Sequence, residues 1–259
     1  MFPEIKPPKG KQYKVKQSRY KVLDGLNPCR CIIAGGSGAG KDVWLTSWFT
    51  DIMRGAYVAI YWFSPSCDID TQLVPLKNYV KDHLHWNERR DGPWCFKDWD
   101  ESILRDIMEK QKEEIEELKQ NPRTHTLPGI AVVINDFADR PDVTHQNDNP
   151  IATCFVRARH WGQSSYIVSQ HITSVAVTCR VNATLLIVMK LNNIQDINIL
   201  CTEWGALAGG PDNLRKIYEY AINDRPYSFL TVNVRAEPRK TFMLRFERYL
   251  NIEDLDTDK

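Results

Sequence analysis

Apolar runs of strand length alternate along this chain with segments in which apolar residues recur at helical spacing. The runs typical of buried strands cover residues 30–34, 57–63, 130–134, 165–170 and 184–189. Helical spacing, clearest after residue 41, predicts helices near residues 41–54, 76–83, 102–120, 154–160 and 214–222. Strands that alternate with helices predict an α/β fold with a mostly parallel sheet covered on both faces, and the runs at 228–234 and 241–246 predict a closing antiparallel pair.

The first strand leads directly into the glycine-rich segment Gly35-Gly36-Ser37-Gly38-Ala39-Gly40-Lys41-Asp42. It fits the P-loop pattern G-x-x-x-x-G-K, in which backbone N–H groups surround phosphate oxygens and the lysine places a positive charge at the terminal phosphates. The pattern ordinarily continues with Ser or Thr, and here that position is Asp42. Because a strand precedes the loop and a helix follows it, the sequence predicts a nucleotide-binding site.

A second motif stands where the apolar run 130–134 ends in Asn135-Asp136. A buried strand that ends in an acid has the Walker B form, in which a carboxylate reaches the bound nucleotide. Apolar runs that end in an acid are common in proteins, and alone this one would be weak evidence for a Walker B strand. It is stronger evidence here because it follows a P-loop in the same chain.

Composition and charge narrow the class of protein. Apolar residues make up 42% of the 259 positions, enough for a sizeable core in one large α/β domain or two small ones. The formal net charge of +1 does not mark the whole chain as a nucleic-acid binder. Lysines concentrate in residues 1–28, so we divide the chain into a basic N-terminal arm (1–28), a P-loop domain (29–250) and an acidic tail (251–259). The arm is either a solvated tail or an electrostatic contact for nucleic acid or capsid.

Cysteine usage and the hydropathy profile bear on the compartment. The seven cysteines lack any regular metal-binding spacing, and we infer a reducing, intracellular compartment. No apolar run approaches the roughly 18 residues of a membrane span, and the basic N-terminus lacks the apolar core of a signal peptide. We therefore expect neither a membrane segment nor a secretion signal.

With these pieces in order, the chain resembles the genome-packaging ATPases of poxviruses, other large DNA viruses and virophages, in the FtsK/HerA branch of the P-loop NTPases. The P-loop and the acidic strand end at 130–136 are shared with many NTPases. Two further segments are more specific: Arg159-His160 before the strand that ends at Gln170, and Arg180 to Thr184 before the strand that ends at Lys190. The resemblance extends from about Cys29 to Phe246.

The resemblance implies a RecA-like fold of the ASCE class and a motor that uses ATP and Mg²⁺ to pump double-stranded DNA into a preformed capsid. The partners it implies are double-stranded DNA, further copies of the chain in a pentameric or hexameric ring, and the capsid vertex. The implied location is the virus assembly site in the host cell, in cytoplasm or nucleus, with the virion itself as a further possibility.

Residues 35–42 would then bind the ATP phosphates, but two positions depart from the family pattern. Asp42 stands where the family has a Mg²⁺-binding Ser or Thr, and Asn135 replaces the first of two Walker B acids. We hypothesise that Asp42 supplies the missing carboxylate, with Asn135 as its neutral partner and Asp136 as the acid that activates water. The alternatives are a site that has lost hydrolysis, and a shifted register in which Asp136 faces Mg²⁺ and Asp139 is the remaining acid.

Three more residues receive roles from the resemblance. Gln170 is the candidate sensor, which hydrogen-bonds the γ-phosphate and the attacking water. Arg180 and Arg159 are the candidate arginine fingers toward a neighbouring subunit's nucleotide, although either could pair with a carboxylate instead. Candidate contacts for DNA phosphates are Arg89-Arg90, Arg157 with Arg159, and the basic arm, since translocating motors grip the backbone.

Two other functions compete with the packaging motor. A cellular DNA pump or helicase of the same superfamily is disfavoured by the short chain and the lack of a membrane anchor. A nucleotide-binding structural subunit without catalysis would fit the altered Asp42 and Asn135. A signalling GTPase is disfavoured because the sequence has no N-K-x-D motif to read guanine.

Overall fold

The structure of the protein, a computed structural model, describes residues 13–137 and 149–255. The strands in these residues are β1 (Lys14–Val15), β2 (Arg30–Ala34), β3 (Ala59–Phe63), β4 (Cys95–Phe96), β5 (Thr126–Leu127), β6 (Ile130–Asn135), β7 (Gln163–Ser169), β8 (Leu185–Val188), β9 (Leu230–Asn233), β10 (Phe242–Leu244) and β11 (Arg248–Tyr249). The α-helices are α1 (Lys41–Ser47), α2 (Val74–Asn78), α3 (Glu88–Asp91), α4 (Glu101–Gln120), α5 (Pro150–Val156), α6 (Val177–Asn182), α7 (Ile194–Trp204), α8 (Pro211–Asn223) and α9 (Ile252–Leu255).

Nine of the described strands form one sheet in the order β11-β10-β9-β8-β2-β7-β6-β3-β4. The six strands from β8 to β4 run parallel, whereas β9, β10 and β11 add antiparallel strands at one end. The predicted fold class, with its mostly parallel sheet and its C-terminal antiparallel pair, is confirmed. β7 lies between the P-loop strand β2 and the acid-tipped strand β6, so three carboxyl ends meet at one edge.

Helices cover both faces of the sheet because its buried strands are apolar on both sides. Along β2, Cys31 and Ile33 face the core that contains Trp44, while Ile32 faces the core formed with α4 and α5. Leu45 of α1 is fully buried, and burying a leucine of this kind contributes about 1.5–3 kcal/mol. None of the helices in residues 13–137 and 149–255 is long and apolar enough to cross a membrane.

A buried polar cluster links the P-loop helix to the sheet. The Tyr166 hydroxyl on β7 accepts a hydrogen bond from Trp48 Nε1 at 2.9 Å, lies 2.5 Å from the Tyr57 hydroxyl, and is 3.2 Å from Cys29 Sγ. Burial raises the pKa of both tyrosines well above the usual range, so both remain neutral donors and acceptors. The cluster fixes the helix after the P-loop against β7, the strand that ends at the predicted sensor.

The helix predicted for residues 41–54 has two parts, the regular helix α1 and a wider π-helical segment, Trp48–Ile52. Its wider turn is marked by the Met53 N–H, which donates to the Trp48 carbonyl five residues back at 2.7 Å. The Thr50 hydroxyl also donates to the Thr46 carbonyl at 2.7 Å. Periodicity alone does not distinguish such a widened turn from regular helix.

The cysteine interpretation did not anticipate a disulfide, yet Cys67 and Cys95 are disulfide-bonded across 28 positions, with Cα atoms 6.2 Å apart. Cys95 lies on β4, which pairs with the end of β3 in a region that the sequence indicated as irregular. The other five cysteines are buried free thiols.

From residue 13 onward the basic segment packs against the domain. Its strand β1 pairs in parallel with β5, and Leu23 and Leu26 are buried in the core beside the P-loop helix. The lysines Lys14, Lys16 and Lys21 therefore project from an ordered surface.

Candidate nucleotide-binding site

The carboxyl ends of three neighbouring strands bring together the segments that the sequence singled out. Gly35 follows β2 and donates its N–H to the Ser169 carbonyl of β7 at 3.3 Å. Asp136 follows β6 and donates its N–H to the Val168 carbonyl at 3.4 Å. Gln170 comes directly after β7 and is exposed. In open α/β sheets, ligands bind at such carboxyl ends.

Glycine is required in the P-loop for two separate reasons. Gly38 and Gly40 have φ angles of +72° and +96°, in the left-handed region that side chains disfavour. Gly36 lies against Asn192, and a Cβ on Gly36 would stand 2.4 Å from the Asn192 Nδ2 atom. The Gly36 N–H also donates to the Lys190 carbonyl at 2.9 Å, so the segment that follows β8 supports the loop.

Lys41 opens helix α1, and its ammonium is held over the loop. Its Nζ donates to the carbonyls of Gly35 at 2.8 Å and Gly36 at 3.2 Å, and the side chain is buried. The N–H groups at the start of the helical stretch face the same loop, so charge and dipole both favour an anion here.

Asp42 and Asn135, the two positions that depart from the family pattern, are in direct contact. Asn135 Nδ2 donates to Asp42 Oδ1 at 3.1 Å, and lies 3.5 Å from the Ser64 hydroxyl. Burial, followed by the charge of Asp70, raises the pKa of Asp42, whereas the hydrogen bond from Asn135 and the charge of Lys41 oppose that rise. A second carboxylate in place of Asn135 would repel Asp42 at this distance.

The residues present fit a Mg²⁺ ion that shares its coordination with a nucleotide. Across residues 13–137 and 149–255, no cluster of three or more His, Cys, Asp and Glu side chains is arranged to hold a metal ion. Mg²⁺, however, needs only one or two carboxylates when substrate phosphates and water supply its other ligands. Asp42, with the oxygens of Asn135 and Ser64 beside it, offers one carboxylate and neutral oxygens of this kind, and Asp136 follows Asn135 in the chain.

A side-chain pair that the sequence did not single out anchors the segment after Gln170. His171 Nδ1 lies 2.9 Å from Asp196 Oδ2, and the other oxygen of this fully buried carboxylate accepts from the Thr173 N–H and hydroxyl, each at 3.0 Å. Asp196 is in the first turn of α7, a helix that the apolar pattern did not predict. The pair fixes the chain immediately after the predicted sensor.

Of the two candidate arginine fingers, Arg180 is engaged within its own chain. Its Nε and Nη2 atoms donate to the Glu203 carboxylate at 2.9 Å and 2.8 Å, and Nη1 donates to the Val175 carbonyl. The side chain is buried between α6 and α7. Sequence analysis left open that Arg180 pairs with a carboxylate instead of acting as an arginine finger, and the structure shows such a pair.

Arg159 lies at the opposite edge of the sheet, among like charges. It precedes β7, Arg30 begins β2 and Arg235 follows the antiparallel β9, so the topology brings all three to the amino edge. Burial, with the charges of Arg235 and Arg159, lowers the pKa of Arg30 to about 10. No carboxylate among the described residues forms an ion pair with these three arginines, and Arg30 Nε is buried without a hydrogen-bond partner.

The other candidates for DNA contact are placed differently. Arg90 pairs with Asp91 at 2.7 Å. The tryptophans that follow this pair in the chain belong to the core: Trp94 is buried, and Trp99 packs against Phe63, with ring centroids 5.7 Å apart. Arg89 and Arg157 are exposed. Asp139 lies outside the described residues.

Beside the P-loop lies a cavity of about 760 Å³ that the sequence did not reveal. The loop from Gly38 to Asp42 forms one wall, and Trp44, Phe229 and Phe246 line the other. A volume of this size suits a small organic ligand. Its aromatic residues come from segments far apart in the chain, so periodicity could not bring them together.

Comparison with known proteins identifies the family and the fold. The profile of the family described as Poxvirus A32 protein matches residues 15–206, well over half of the chain. A search among curated proteins gave no match.

Solved structures show the same fold at low identity. The genome-packaging NTPase B204 from Sulfolobus turreted icosahedral virus 2, in complex with ATP-gammaS, has a TM-score of 0.54 and 13% identity, covering 84% of this chain and 96% of that one. The pCW3 conjugation coupling protein TcpA with ATPgS has a TM-score of 0.54 and 15% identity, covering 90% and 66%. EssC (ATPases 2 and 3) from Geobacillus thermodenitrificans has a TM-score of 0.53 and 14% identity, covering 90% and 46%.

Proposed function

The chain belongs to the poxvirus A32 family, and from this premise we propose that it is an ATPase that drives double-stranded DNA into a viral capsid. The proposal includes a homo-oligomeric ring, pentameric or hexameric, at the capsid vertex, and action at the virus assembly site of the host cell. The fold shared with the genome-packaging NTPase B204, solved in complex with ATP-gammaS, supports it.

One observation carries the proposal: the P-loop lysine, the acidic strand end and the exposed amide meet at one edge of the sheet. In the proposed reaction Lys41 and the loop N–H groups bind the phosphates of ATP. Asp136 accepts a proton from the attacking water, and Gln170 orients that water against the γ-phosphate. Asp42, with the oxygen of Asn135 beside it, would hold Mg²⁺, which when bound neutralises charge on the triphosphate.

The contact between Asp42 and Asn135 favours a site in which the metal-side carboxylate stands on the P-loop instead of the strand, and disfavours a site that has lost its function. The hydrogen bond of 3.1 Å pairs a carboxylate with a neutral amide, so the local charge matches a family site that has Ser or Thr in the loop and Asp on the strand. Two carboxylates at this distance would repel each other, and one would become protonated. We therefore assign the metal-side carboxylate to Asp42.

Arg159 is the better candidate for the arginine finger, and it would act on a neighbouring subunit. Strand β7 has 7 residues, which span about 23 Å at about 3.3 Å each, so Arg159 and Gln170 stand at opposite ends of one strand. Arg159 lacks an acidic partner in the described structure, whereas Arg180 is bound to Glu203. An arginine that must meet a phosphate of another subunit should be free in this way.

The test is phosphate release from ATP, measured with and without linear double-stranded DNA across a range of Mg²⁺ concentrations. We expect DNA to stimulate release, and Lys41→Ala to abolish it, because the phosphates lose their only P-loop cation. Lys97→Ala, which removes an exposed lysine in the segment after β4, is the matched control and should behave as wild type.

Two results would contradict the proposal in different ways. Turnover that survives Lys41→Ala would remove the assignment of the P-loop as the reaction site. Nucleotide binding without any phosphate release would favour the second candidate, a structural subunit that binds nucleotide, for which the departures at Asp42 and Asn135 are the motivating observation.

A further inference from the structure

The cavity beside the P-loop has a rigid aromatic wall. The Phe229 ring stands edge-on to those of Trp44 and Phe246, with centroids 6.3 Å and 5.6 Å away. Trp44 belongs to the P-loop helix, whereas Phe229 and Phe246 flank the antiparallel strands β9 and β10. The wall is thus built from both ends of the chain and faces the site for phosphates.

One polar group of this wall lacks a partner. The Trp44 side chain is 94% buried, since its exposed fraction is 6%, and its indole N–H has no acceptor among the described residues. Buried N–H groups are nearly always hydrogen-bonded in folded proteins. Trp44 lines the cavity, but its indole N–H is itself buried, so the wall offers a ligand an apolar aromatic surface.

Tyr227 stands at the edge of the cavity in an unusual conformation. It is 73% exposed and has a φ of +61°, a left-handed value that is rare for a bulky aromatic residue. Its ring lies over the P-loop: a Cβ added to Gly40 would be 3.4 Å from the Tyr227 Cδ1 atom. Backbone strain of this kind persists where the surroundings impose it, and it concentrates at ligand sites.

Two ion pairs anchor the residues just before Tyr227. Asp224 pairs with Arg245 at 2.7 Å, and Arg225 pairs with Glu247. Tyr227 lines both the aromatic cavity and a second cavity of about 550 Å³ that the P-loop also lines. Tyr227 therefore stands at the junction of the P-loop with both cavities.

We propose that the aromatic cavity receives the base of a bound nucleotide and that the base stacks on the ring of Tyr227 while the P-loop holds the phosphates. This inference rests on the proposed function, because it names the part of the nucleotide that the P-loop does not bind. A flat aromatic ring suits a base of any kind, since every base has a π face. Outside residues 38–42, the polar side chains that line the cavity are Ser47, Gln72 and Tyr227 itself, so stacking contributes more than base-specific hydrogen bonds.

The experiment compares the binding of ATP-gammaS, a GTP analogue with the same phosphates, and inorganic tripolyphosphate by calorimetry at fixed Mg²⁺ and salt. Tyr227→Gly removes the ring and keeps a residue that adopts positive φ readily, so the loop conformation is preserved. We expect it to weaken both nucleotides by between about 5-fold and about 150-fold and to leave tripolyphosphate unchanged. Tyr227→Phe should bind like wild type, as should Tyr249→Ala, an exposed tyrosine on β11.

Each other outcome overturns the inference. Unchanged nucleotide affinity in Tyr227→Gly would mean that the ring does not contact the base. Equal weakening of nucleotide and tripolyphosphate would mean that the ring supports Gly40 and the phosphate loop instead. A wild-type protein that binds neither nucleotide nor tripolyphosphate would refute the proposed function itself, a result that the tripolyphosphate arm separates from the first two.

Discussion

The carboxyl edge of the central sheet gathers groups of mixed charge that suit a triphosphate and its metal ion, whereas at the amino edge three arginines lie near one another and form no ion pair within the described residues. At the carboxyl edge, Lys41 is held by loop carbonyls and Asp42 by Asn135. At the amino edge, Arg30 and Arg235 have pKa values that burial and the neighbouring arginines lower. The charged groups of the carboxyl edge are thus paired within the chain, whereas the described part of the chain offers Arg30, Arg159 and Arg235 no ion pair.

In the proposed ring, this difference would correspond to a site divided between two copies of the chain. Like charges that are partly withdrawn from water cost stability, and a fold tolerates them where an anion arrives from another molecule. The triphosphate that the carboxyl edge of one copy binds is such an anion for the amino edge of the next. A ring would then assemble one complete reaction centre at each contact between copies.

Removing the proposed finger should have the largest effect. Arg159→Ala should lower the rate of ATP turnover by about 10³- to 10⁵-fold and leave nucleotide affinity nearly unchanged, because the arginine neutralises charge that develops in the transition state. Arg180→Ala should instead lower the melting temperature, since it leaves the Glu203 carboxylate and the Val175 carbonyl without their donor.

A mixing experiment sharpens this first prediction. Arg159→Ala and Lys41→Ala subunits are each inactive alone, but together they should recover part of the turnover, because one supplies the P-loop and the other the finger. Full turnover by Arg159→Ala rings, or no recovery on mixing two folded variants, would contradict a divided site.

A smaller effect is expected from adding a carboxylate at the carboxyl edge. Asn135→Asp would place a second carboxylate about 3.1 Å from Asp42 and should raise the Mg²⁺ concentration needed for turnover by about 10- to 100-fold. Adding Asp42→Thr restores the family arrangement and should return most of the activity. Initial rates across a Mg²⁺ titration test this order. If Asn135→Asp alone equals or exceeds the double variant, Asp42 has not taken over the strand carboxylate.

Much of the carboxyl edge could be predicted from the sequence because its signals are local. The P-loop lies between a strand and a helix that have their own periodicities, and β6 is an unbroken apolar run that ends at Asn135-Asp136. The P-loop and the acidic strand end are each read from neighbouring residues, and parallel pairing then brings them together. Gln170 is different, because its role comes from the family resemblance and an amide after a strand carries no signal by itself.

The parts that escaped prediction depend on distant pairings or on weak local signals. The arginine cluster requires Arg235 to follow an antiparallel strand, which reverses the edge at which it lies. Tyr227 comes into contact with Gly40 only in the folded chain. The start of α7 had a usable signal, since Asn193 caps it by accepting from the Gln195 N–H at 2.9 Å, but polar residues around 192–196 obscured it.

The smallest expected effect tests whether repulsion between the arginines of the amino edge destabilises a single copy of the chain. Burial and the charge of Arg159 lower the pKa of Arg235, yet at pH 7 it remains a cation, so it destabilises the isolated fold through repulsion. Arg235→Gln should therefore stabilise the protein without nucleotide, by about 0.2–1 kcal/mol, which raises the melting temperature by less than about 4 °C. The gain should shrink as salt rises, because salt screens the repulsion. Arg123→Gln, an exposed arginine after α4, is the control and should show no such gain. A loss of stability in Arg235→Gln at low salt would mean that the amino edge is compensated within one chain, and the case for a divided site would then rest on the finger alone.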